Sequence, residues 1–211
     1  MKVLYYDKDI AVVIKPAGVS SQASHDFDDD MITLIQKELN CDDVYVVHRL
    51  DKMVPGVMVY ALNKDAAARL SAQLSGSGFN KVYRAVLDGI PKDKKGELTD
   101  WLVKDDKANI SRVCDAKTKG AKEAKLKYKV IENKYINGKQ MSKVEIELIT
   151  GRHHQIRAQF GSRNTPIVGD VKYGYKGDPE PIALAAVELT FSHPKTKKAM
   201  RYTYDWNRNL G

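Results

Sequence analysis

Two clusters of polar side chains lie between apolar runs of this 211-residue chain, and their residue types could do chemistry. The first contains His48, Arg49 and Asp51, in a charged turn between the apolar runs 44–47 and 56–62. Buried strands hold such a turn rigidly at the end of a sheet, so a carboxylate and a guanidinium here could act on a bound substrate. A solvated turn with an internal ion pair explains the same residues.

The second cluster spans residues 151–157 and contains two adjacent histidines. On a helix, His153 and Arg157 would share one face. His153 and His154 diverge on either a helix or a strand, and no Cys, His or Glu stands at a suitable spacing, so we expect no metal site. A surface helix with capping and packing residues is the alternative reading of this cluster.

Several familiar chemistries lack their sequence signals. No phosphate-binding P-loop, no Gly-x-Gly-x-x-Gly after a strand and no Gly-x-Ser-x-Gly elbow is present, so we expect no nucleotide cofactor. Cys41 and Cys114 are too few for a disulfide framework or a thiolate zinc site. We therefore expect two reduced thiols in a cytoplasmic protein without cofactors.

The charge of the chain is uneven. The formal net charge is +8, yet residues 1–50 hold five basic and nine acidic side chains, and residues 104–129 hold nine basic and four acidic ones. A basic face favours a polyanion, most often nucleic acid. Solvated lysines on edge strands, which deter aggregation, are the alternative.

Hydrophobic periodicity predicts an α+β fold, with helices around a largely antiparallel, mixed sheet. Residues 125–130 and 144–148 alternate apolar and charged side chains, as strands with one buried face do. The chain has no internal repeat or long linker, so we expect one domain over 1–211, with a monomer as the default. Its longest charge-free apolar stretch, 54–62, is far below the roughly 20 residues of a membrane span. Further strands are predicted at 3–6, 10–14, 44–47, 56–62, 82–87 and 182–191, and helices at 31–39, 64–74 and 154–161.

Four ordered blocks resemble the RluA-type RNA pseudouridine synthases, and the resemblance covers about residues 3–204. The Lys15-Pro16-Ala17-Gly18 turn and the Phe191-Ser192-His193-Pro194 segment fit the same family. The blocks are His48-Arg49-Leu50-Asp51 followed by Gly56, then Lys81-Val82-Tyr83, then residues 151–157, then residues 166–174.

The resemblance implies a pseudouridine synthase fold with a basic catalytic cleft, which isomerises uridine to pseudouridine in RNA without cofactor or metal. By motif, Asp51 is the catalytic aspartate and Arg157 is the arginine that pairs with it. Tyr83 matches the tyrosine that packs on the target base. Arg49 matches the arginine that enters the RNA helix as the base leaves.

Five further residues are expected to bind substrate or to support those that do. Lys15 could contact a phosphate or pair with an acidic neighbour. His153 and Gln155 are expected to support the position of Arg157 more than to contact RNA. The full substrate-binding set is Arg49, His48, Lys15, Arg152, His153 and Gln155.

The residue types suit the reaction, which breaks the C1′–N1 bond, turns the uracil and rejoins it through C5. An aspartate with a pKa of about 3.9 is charged at pH 7, and a guanidinium opposite it keeps a buried carboxylate ionised. Asp51 could attack the ribose or take a proton from it. The base must leave the helical stack to react.

The chain departs from the family in two places. Val54-Pro55 stand where Thr-Ser is usual, and His153 stands where threonine is common. We also expect no N-terminal S4-like domain, so the basic segment 104–129 is our candidate for holding the RNA backbone.

A non-catalytic RNA-binding or ribosome-assembly protein is the alternative function. A nucleoside hydrolase usually requires two carboxylates at its cleft, and the motifs of this chain offer only Asp51. The target, ribosomal or transfer RNA, is left open.

Overall fold

The structure is a computed structural model that describes residues 1–23, 30–76, 78–136, 138–178 and 180–208. Their contacts divide the chain into two compact units. The first unit is Met1–Lys81 with Ala185–Asp205, and the second is Val82–Leu184 with Trp206–Gly211. The strands are β1 Lys2–Tyr6, β2 Ile10–Lys15, β3 Tyr45–Val46, β4 Gly56–Ala61, β5 Asn80–Asp88, β6 Lys95–Asp105, β7 Ile110–Cys114, β8 Lys122–Ile136, β9 Lys139–Leu148, β10 Leu184–Ser192 and β11 Ala199–Thr203; the helices are α1 Met31–Leu39, α2 Lys64–Ser75 and α3 Gln155–Gly161, with a 3-10 turn at Val171–Tyr173.

In the first unit, β4 lies at the centre of a mixed sheet. It pairs antiparallel with β2 and β3 and parallel with β10, while β1 continues the sheet beyond β2 and β11 beyond β10. All six β4 residues are buried. Helix α2 begins where Asn63 Oδ1 accepts the Ala66 N–H at 2.8 Å, and it packs Ala66 and Leu70 into a core with Val57, Val59 and Phe191. This core holds the strand from which the Asp51 turn emerges.

Gly56 is required at the start of β4. Its φ of 145° is in the region that L side chains rarely adopt, and a Cβ there would lie 2.3 Å from the Ala186 carbonyl oxygen. Gly56 and Ala186 are also the registered pair between the parallel strands β4 and β10. The close approach of the two backbones therefore fixes the end of the turn that carries Asp51.

In the second unit, five strands form an antiparallel sheet in the order β5, β9, β8, β6, β7. The predicted alternation is present, because Leu126, Val144 and Ile146 are fully buried. Helix α3 packs Ala158 against Leu102 and Ala124 on one face of this sheet. The sheet and α3 together position the second polar cluster.

The α+β fold is confirmed, and every predicted strand and helix has a counterpart, although β3 is only two residues long. Three strands, β6, β7 and β11, were missed. Strand β6 contains Gly96, Glu97 and Asp100, which disfavour strands locally, and β7 and β11 are short. None of the described helices combines the length and apolar character that crossing a membrane requires.

Candidate active site

Asp51 lies in a tight turn between β3 and β4. The turn closes where the Val54 N–H donates to the Asp51 carbonyl at 3.0 Å, and Val54 itself is buried. The Pro55 carbonyl accepts the Ala186 N–H at 2.9 Å, which attaches the far end of the turn to β10. Main-chain groups of Val54 and Pro55, which stand where Thr-Ser is usual, thus close the turn and attach it to β10. Asp51 is half-buried.

The residue before Asp51 is held by one hydroxyl group. Ser21 Oγ accepts the Leu50 N–H at 3.1 Å and lies 2.8 Å from the Leu50 carbonyl, to which it donates. The Tyr60 hydroxyl donates to the Ser21 carbonyl at 2.9 Å from within the buried strand β4. These three bonds fix Leu50 and limit the freedom of the backbone that enters Asp51.

The residue after Asp51 is held by a buried lysine. The Lys52 carbonyl accepts from Lys15 Nζ at 2.9 Å and from the Gly18 N–H at 2.9 Å. Lys15 Nζ also donates to the carbonyls of Pro16 at 3.0 Å and Val19 at 2.8 Å. The backbone on both sides of Asp51 is therefore tied to the segment that follows β2.

The position of Lys15 is unsuited to contact with an RNA phosphate. Its side chain is fully buried, and three backbone carbonyls take the three protons of its ammonium group. Burial lowers the pKa of Lys15 to about 8, an effect that the nearby Asp51 charge opposes. We therefore reassign Lys15 from substrate binding to the support of the Asp51 turn.

His48 is likewise a core residue. Its ring is 8% exposed and meets Phe79 edge-on at 5.9 Å between centroids, and its Nε2 accepts the Val59 N–H at 3.2 Å. Burial, with a smaller effect of the Lys81 charge, lowers the pKa of His48 to about 3, so the ring is neutral. The geometry argues against the predicted contact with RNA, because a neutral ring in the core offers no donor to solvent.

Arg49 fits its prediction better, because it is exposed on the same turn. Its Nη1 donates to Gln22 Oε1 at 3.2 Å, a single bond to another exposed side chain. An exposed pair of this kind is weak and exchanges readily for a stronger partner such as a phosphate. The role of Arg49 in RNA binding stays a prediction.

In the second unit, Tyr83 and Arg157 are both largely buried. Tyr83 lies in β5 opposite Ile146 of β9, with 7% of its surface exposed. Arg157 projects from α3 and forms a two-pronged pair with Asp170, with Nε to Oδ2 at 2.7 Å and Nη2 to Oδ1 at 2.8 Å. The Asp170 side chain is 1% exposed. Asp170 was quoted within a motif but was given no role by the sequence analysis.

The loop before α3 is fixed by Gln155. Its Oε1 accepts from Thr150 Oγ1 at 2.8 Å and from the Arg152 N–H at 3.0 Å, while its Nε2 donates to the Lys125 carbonyl at 3.0 Å. These bonds hold the start of α3, and the support of Arg157 that was expected of Gln155 stays a prediction. Arg152 is exposed, and its Nε donates to the Glu123 carbonyl at 2.8 Å.

The two histidines lie outside α3, which begins one residue later than predicted. His154 adopts a φ of 49°, so His153 does not share a helical face with Arg157 as the spacing had suggested. Instead the two imidazole rings stack at 3.7 Å between centroids. His153 Nδ1 lies 3.0 Å from Ser111 Oγ, and His154 Nδ1 lies 2.9 Å from the Tyr173 hydroxyl.

Each unit therefore gathers part of the predicted set, with Asp51 and Arg49 on one turn of the first and Arg157, Gln155 and the histidines around α3 of the second. Sequence reasoning assigned no role to Ser21, Asp170 or Tyr173. Only Asp170 had a usable signal, as a carboxylate directly after a glycine within the family block 166–174. Hydroxyl groups of serine and tyrosine carry no such signal.

One group of possible metal ligands occurs among the described residues, formed by Asp7, Asp9 and His193. His193 Nε2 donates to Asp7 Oδ2 at 2.8 Å, and its Nδ1 accepts the N–H groups of Lys195 and Thr196. Both ring nitrogens are therefore already used. The group holds the β1–β2 turn against the turn that follows β10.

Comparison with known proteins identifies relatives of this chain. Residues 9–162 match the family model described as RNA pseudouridylate synthase. The dual-specificity RNA pseudouridine synthase RluA of Vibrio vulnificus is 32% identical over 203 residues, covering 92% of this chain and 79% of the relative. The tRNA pseudouridine synthase C of the same organism is 29% identical, covering 94% and 87%.

Among solved structures, Human RNA Pseudouridylate Synthase Domain Containing 1 superimposes with a TM-score of 0.79 over 96% of this chain and 82% of its own. At 22% identity this likeness concerns the fold. The family match covers well over half of the chain, and a relative 32% identical is itself covered over more than two thirds of its length. The chain belongs to the RluA-type family of RNA pseudouridine synthases.

Proposed function

We propose that this RNA pseudouridine synthase isomerises specific uridines in ribosomal or transfer RNA, with Asp51 as its catalytic group. The observation that carries the proposal is the Asp51 turn, whose backbone is tied down immediately before and after the aspartate. A catalytic carboxylate must meet its target atom in one geometry, and a fixed backbone restricts the positions that the carboxylate can take.

Asp51 acts on the ribose, either by attack at C1′ or by taking a ribose proton. In both routes the C1′–N1 electron pair leaves with the uracil, which turns and forms the C1′–C5 bond. As that bond forms, the Asp51–C1′ bond breaks in the first route, and in the second route the proton on Asp51 returns to the ribose. C5 then gives up its proton to solvent water. Tyr83 supplies a flat wall that keeps the released base in place. Arg157, whose guanidinium Asp170 holds through two hydrogen bonds, is proposed as the arginine of the active site.

The substrate is RNA, and the basic segment 104–129 is our candidate for its backbone contact. In the part of this segment that lies in β8, Lys127 and Lys129 stand opposite Glu147 and Glu145 of β9, and acidic cross-strand neighbours offset part of their charge. Lys117 and Lys119, in the turn between β7 and β8, and Lys122, at the start of β8, are also exposed and are our candidates for phosphate contact. Reversal of these three charges should weaken RNA binding and reduce its salt dependence.

Three further parts of the proposal concern the whole chain. Both compact units act as a single catalytic domain over residues 1–211, because the four family blocks are divided between them. The active form is a monomer. The protein works in the cytoplasm, in keeping with the unpaired thiols Cys41 and Cys114.

The test is tritium release from RNA labelled at uridine C5, with ribosomal and transfer RNA assayed separately. Wild type should release tritium from one of them, and Asp51→Ala should lose at least about a thousandfold in rate, as removal of a catalytic group does. Asp42→Ala, which removes an exposed carboxylate from the same unit, is the matched control and should behave as wild type. Binding without release by the wild type would instead favour the non-catalytic alternative.

A further inference from the structure

We infer that Tyr173 is a positioning residue for Arg157, which it holds in the orientation that the reaction needs. The inference rests on the proposed function, in which Arg157 belongs to the active site. It adds a second and independent constraint to the ion pair with Asp170. Tyr173 would act through Arg157, without touching the reacting atoms.

The two constraints act in different directions. Asp170 bonds to Nε and Nη2, so it fixes the guanidinium along one edge of its plane. The Arg157 guanidinium carbon lies over the Tyr173 ring, 5.0 Å from the ring centroid. Attraction between a cation and an aromatic face is strongest over the ring, so it opposes rotation about the edge that Asp170 holds. An arginine held along an edge and over a face has little freedom left.

Asp170 and Tyr173 come from one turn of the chain. The Tyr173 N–H donates to the Asp170 carbonyl at 3.0 Å, and the Tyr175 N–H donates to the same carbonyl at 3.2 Å. The turn begins after Gly169, which has a φ of 80°, and ends at Gly174, which has a φ of 105°. Asp170 and Tyr173 therefore move together if they move at all.

The Tyr173 ring is itself anchored through its hydroxyl. The Ser111 N–H in β7 donates to this oxygen at 2.7 Å, and His154 Nδ1 lies 2.9 Å from it. The first bond ties the ring to the last strand of the second unit's sheet, and the second ties it to the residue that precedes α3. Tyr173 thereby connects Arg157 to the sheet and to the start of its own helix.

The competing explanation is that Tyr173 only packs. Its ring also contacts the small apolar group of Leu102, Ala124 and Ala158. A packing role predicts a loss of stability, with any loss of activity independent of the side chain at position 157. A positioning role predicts a loss of rate that depends on Arg157.

The first experiment compares Tyr173→Phe with Tyr173→Leu in the C5 tritium-release assay. Tyr173→Phe keeps the ring and loses its anchor, so we expect kcat to fall roughly three- to tenfold, as for one lost hydrogen bond, with KM within about twofold. Tyr173→Leu should cost more, about thirtyfold, because it also removes the ring. Tyr175→Phe, which removes a hydroxyl bonded to Glu180 in the same segment, should leave kcat unchanged.

The second experiment is a double-mutant cycle with Arg157→Lys, because a lysine cannot repeat the two-pronged bond. In the Arg157→Lys background, Tyr173→Phe should have no further effect on kcat. The same fold-loss in both backgrounds would overturn the inference and leave Tyr173 as a packing residue.

A third measurement separates failure of this inference from failure of the proposed function. Solvent exchange of the Arg157 Nε–H, followed by NMR, needs no substrate, and it should accelerate at least severalfold in Tyr173→Phe. Unchanged exchange would overturn the inference, whatever the activity. A wild type inactive on every RNA, with accelerated exchange in Tyr173→Phe, would instead refute the proposed function and leave the positioning of Arg157 by Tyr173 established.

Discussion

The Asp51 turn and the Arg157 helix hold their functional residues by opposite means. Around Asp51, the bonds run to the backbone of its neighbours Leu50 and Lys52, and the holding groups are Ser21 and the buried Lys15. Around Arg157, the bonds run to the side chain itself. These backbone bonds do not depend on the Asp51 side chain, so they remain when that side chain is changed, whereas a change at Arg157 removes the guanidinium that Asp170 holds.

This contrast separates catalysis from stability in the first region and joins them in the second. Asp51 variants should fold normally and lose activity. Variants of Arg157 or of its partners should lose both, since removal of one member of a buried ion pair leaves the other charge without compensation. Measurements of stability beside activity can therefore test the comparison directly.

The largest loss of stability is expected for Asp170→Asn. The change leaves the guanidinium of Arg157, whose side chain is 12% exposed, opposite a neutral amide, and the free energy of unfolding should fall by about 3 kcal/mol. The rate of tritium release should fall as well, because the fork that orients Arg157 is lost. Urea denaturation and the release assay measure the two effects on the same preparation.

Glu188→Gln is the matched control for Asp170→Asn. Glu188 also makes a two-pronged pair, with Arg201, but the Arg201 side chain is 68% exposed. An exposed pair contributes no more than about 1 kcal/mol, so this variant should stay close to wild type. Equal losses in the two variants would mean that burial does not distinguish the Arg157 pair.

The next effect is expected for Lys15→Met, which tests the other side of the comparison. Methionine fills a similar volume but removes the Nζ donor from three carbonyls, those of Pro16, Val19 and Lys52, of which the last keeps the Gly18 N–H. We expect a loss of about 2 kcal/mol in unfolding free energy and a lower kcat, with RNA affinity unchanged. A large loss of RNA affinity in a folded variant would restore the phosphate contact that the sequence had suggested.

Lys15 also gives a pH dependence whose sign can be worked out. Burial lowers its pKa in the folded state to about 8 from 10.5, so between these values the unfolded chain binds more protons than the folded one. The free energy of unfolding should therefore rise with pH in this window, by at most about 1.4 kcal/mol per pH unit. Wild type should show this rise relative to Lys15→Met, and parallel curves for the two proteins would contradict it.

The sequence predicted the elements of the fold better than the contacts of the site. Alternation and helical spacing report which face of an element is buried, so β8, β9 and α2 could be located in advance. The mode of support could not be predicted, because the Lys15–Lys52 and Ser21–Leu50 bonds join segments about thirty or more residues apart. The burial of His48 was not predicted either, because a polar residue in a motif gives no sign of whether it is buried.

The smallest effect is expected for Pro55→Ser, which restores a hydroxyl that the family usually has in the Asp51 turn. Pro55 contributes its carbonyl to the Ala186 N–H, and any residue can make that bond. Serine should lower the free energy of unfolding by about 0.5–1 kcal/mol, through the greater freedom of the unfolded chain, and leave kcat within twofold.

Gly56→Ala provides the contrast to Pro55→Ser at the next position. A Cβ at residue 56 meets the backbone of Ala186 at 2.3 Å, so this change should displace β4 from β10 and abolish activity. If Pro55→Ser raised kcat severalfold, hydroxyl groups would matter to the turn after all. If it matched wild type while Gly56→Ala failed, the backbone alone would determine the geometry of Asp51.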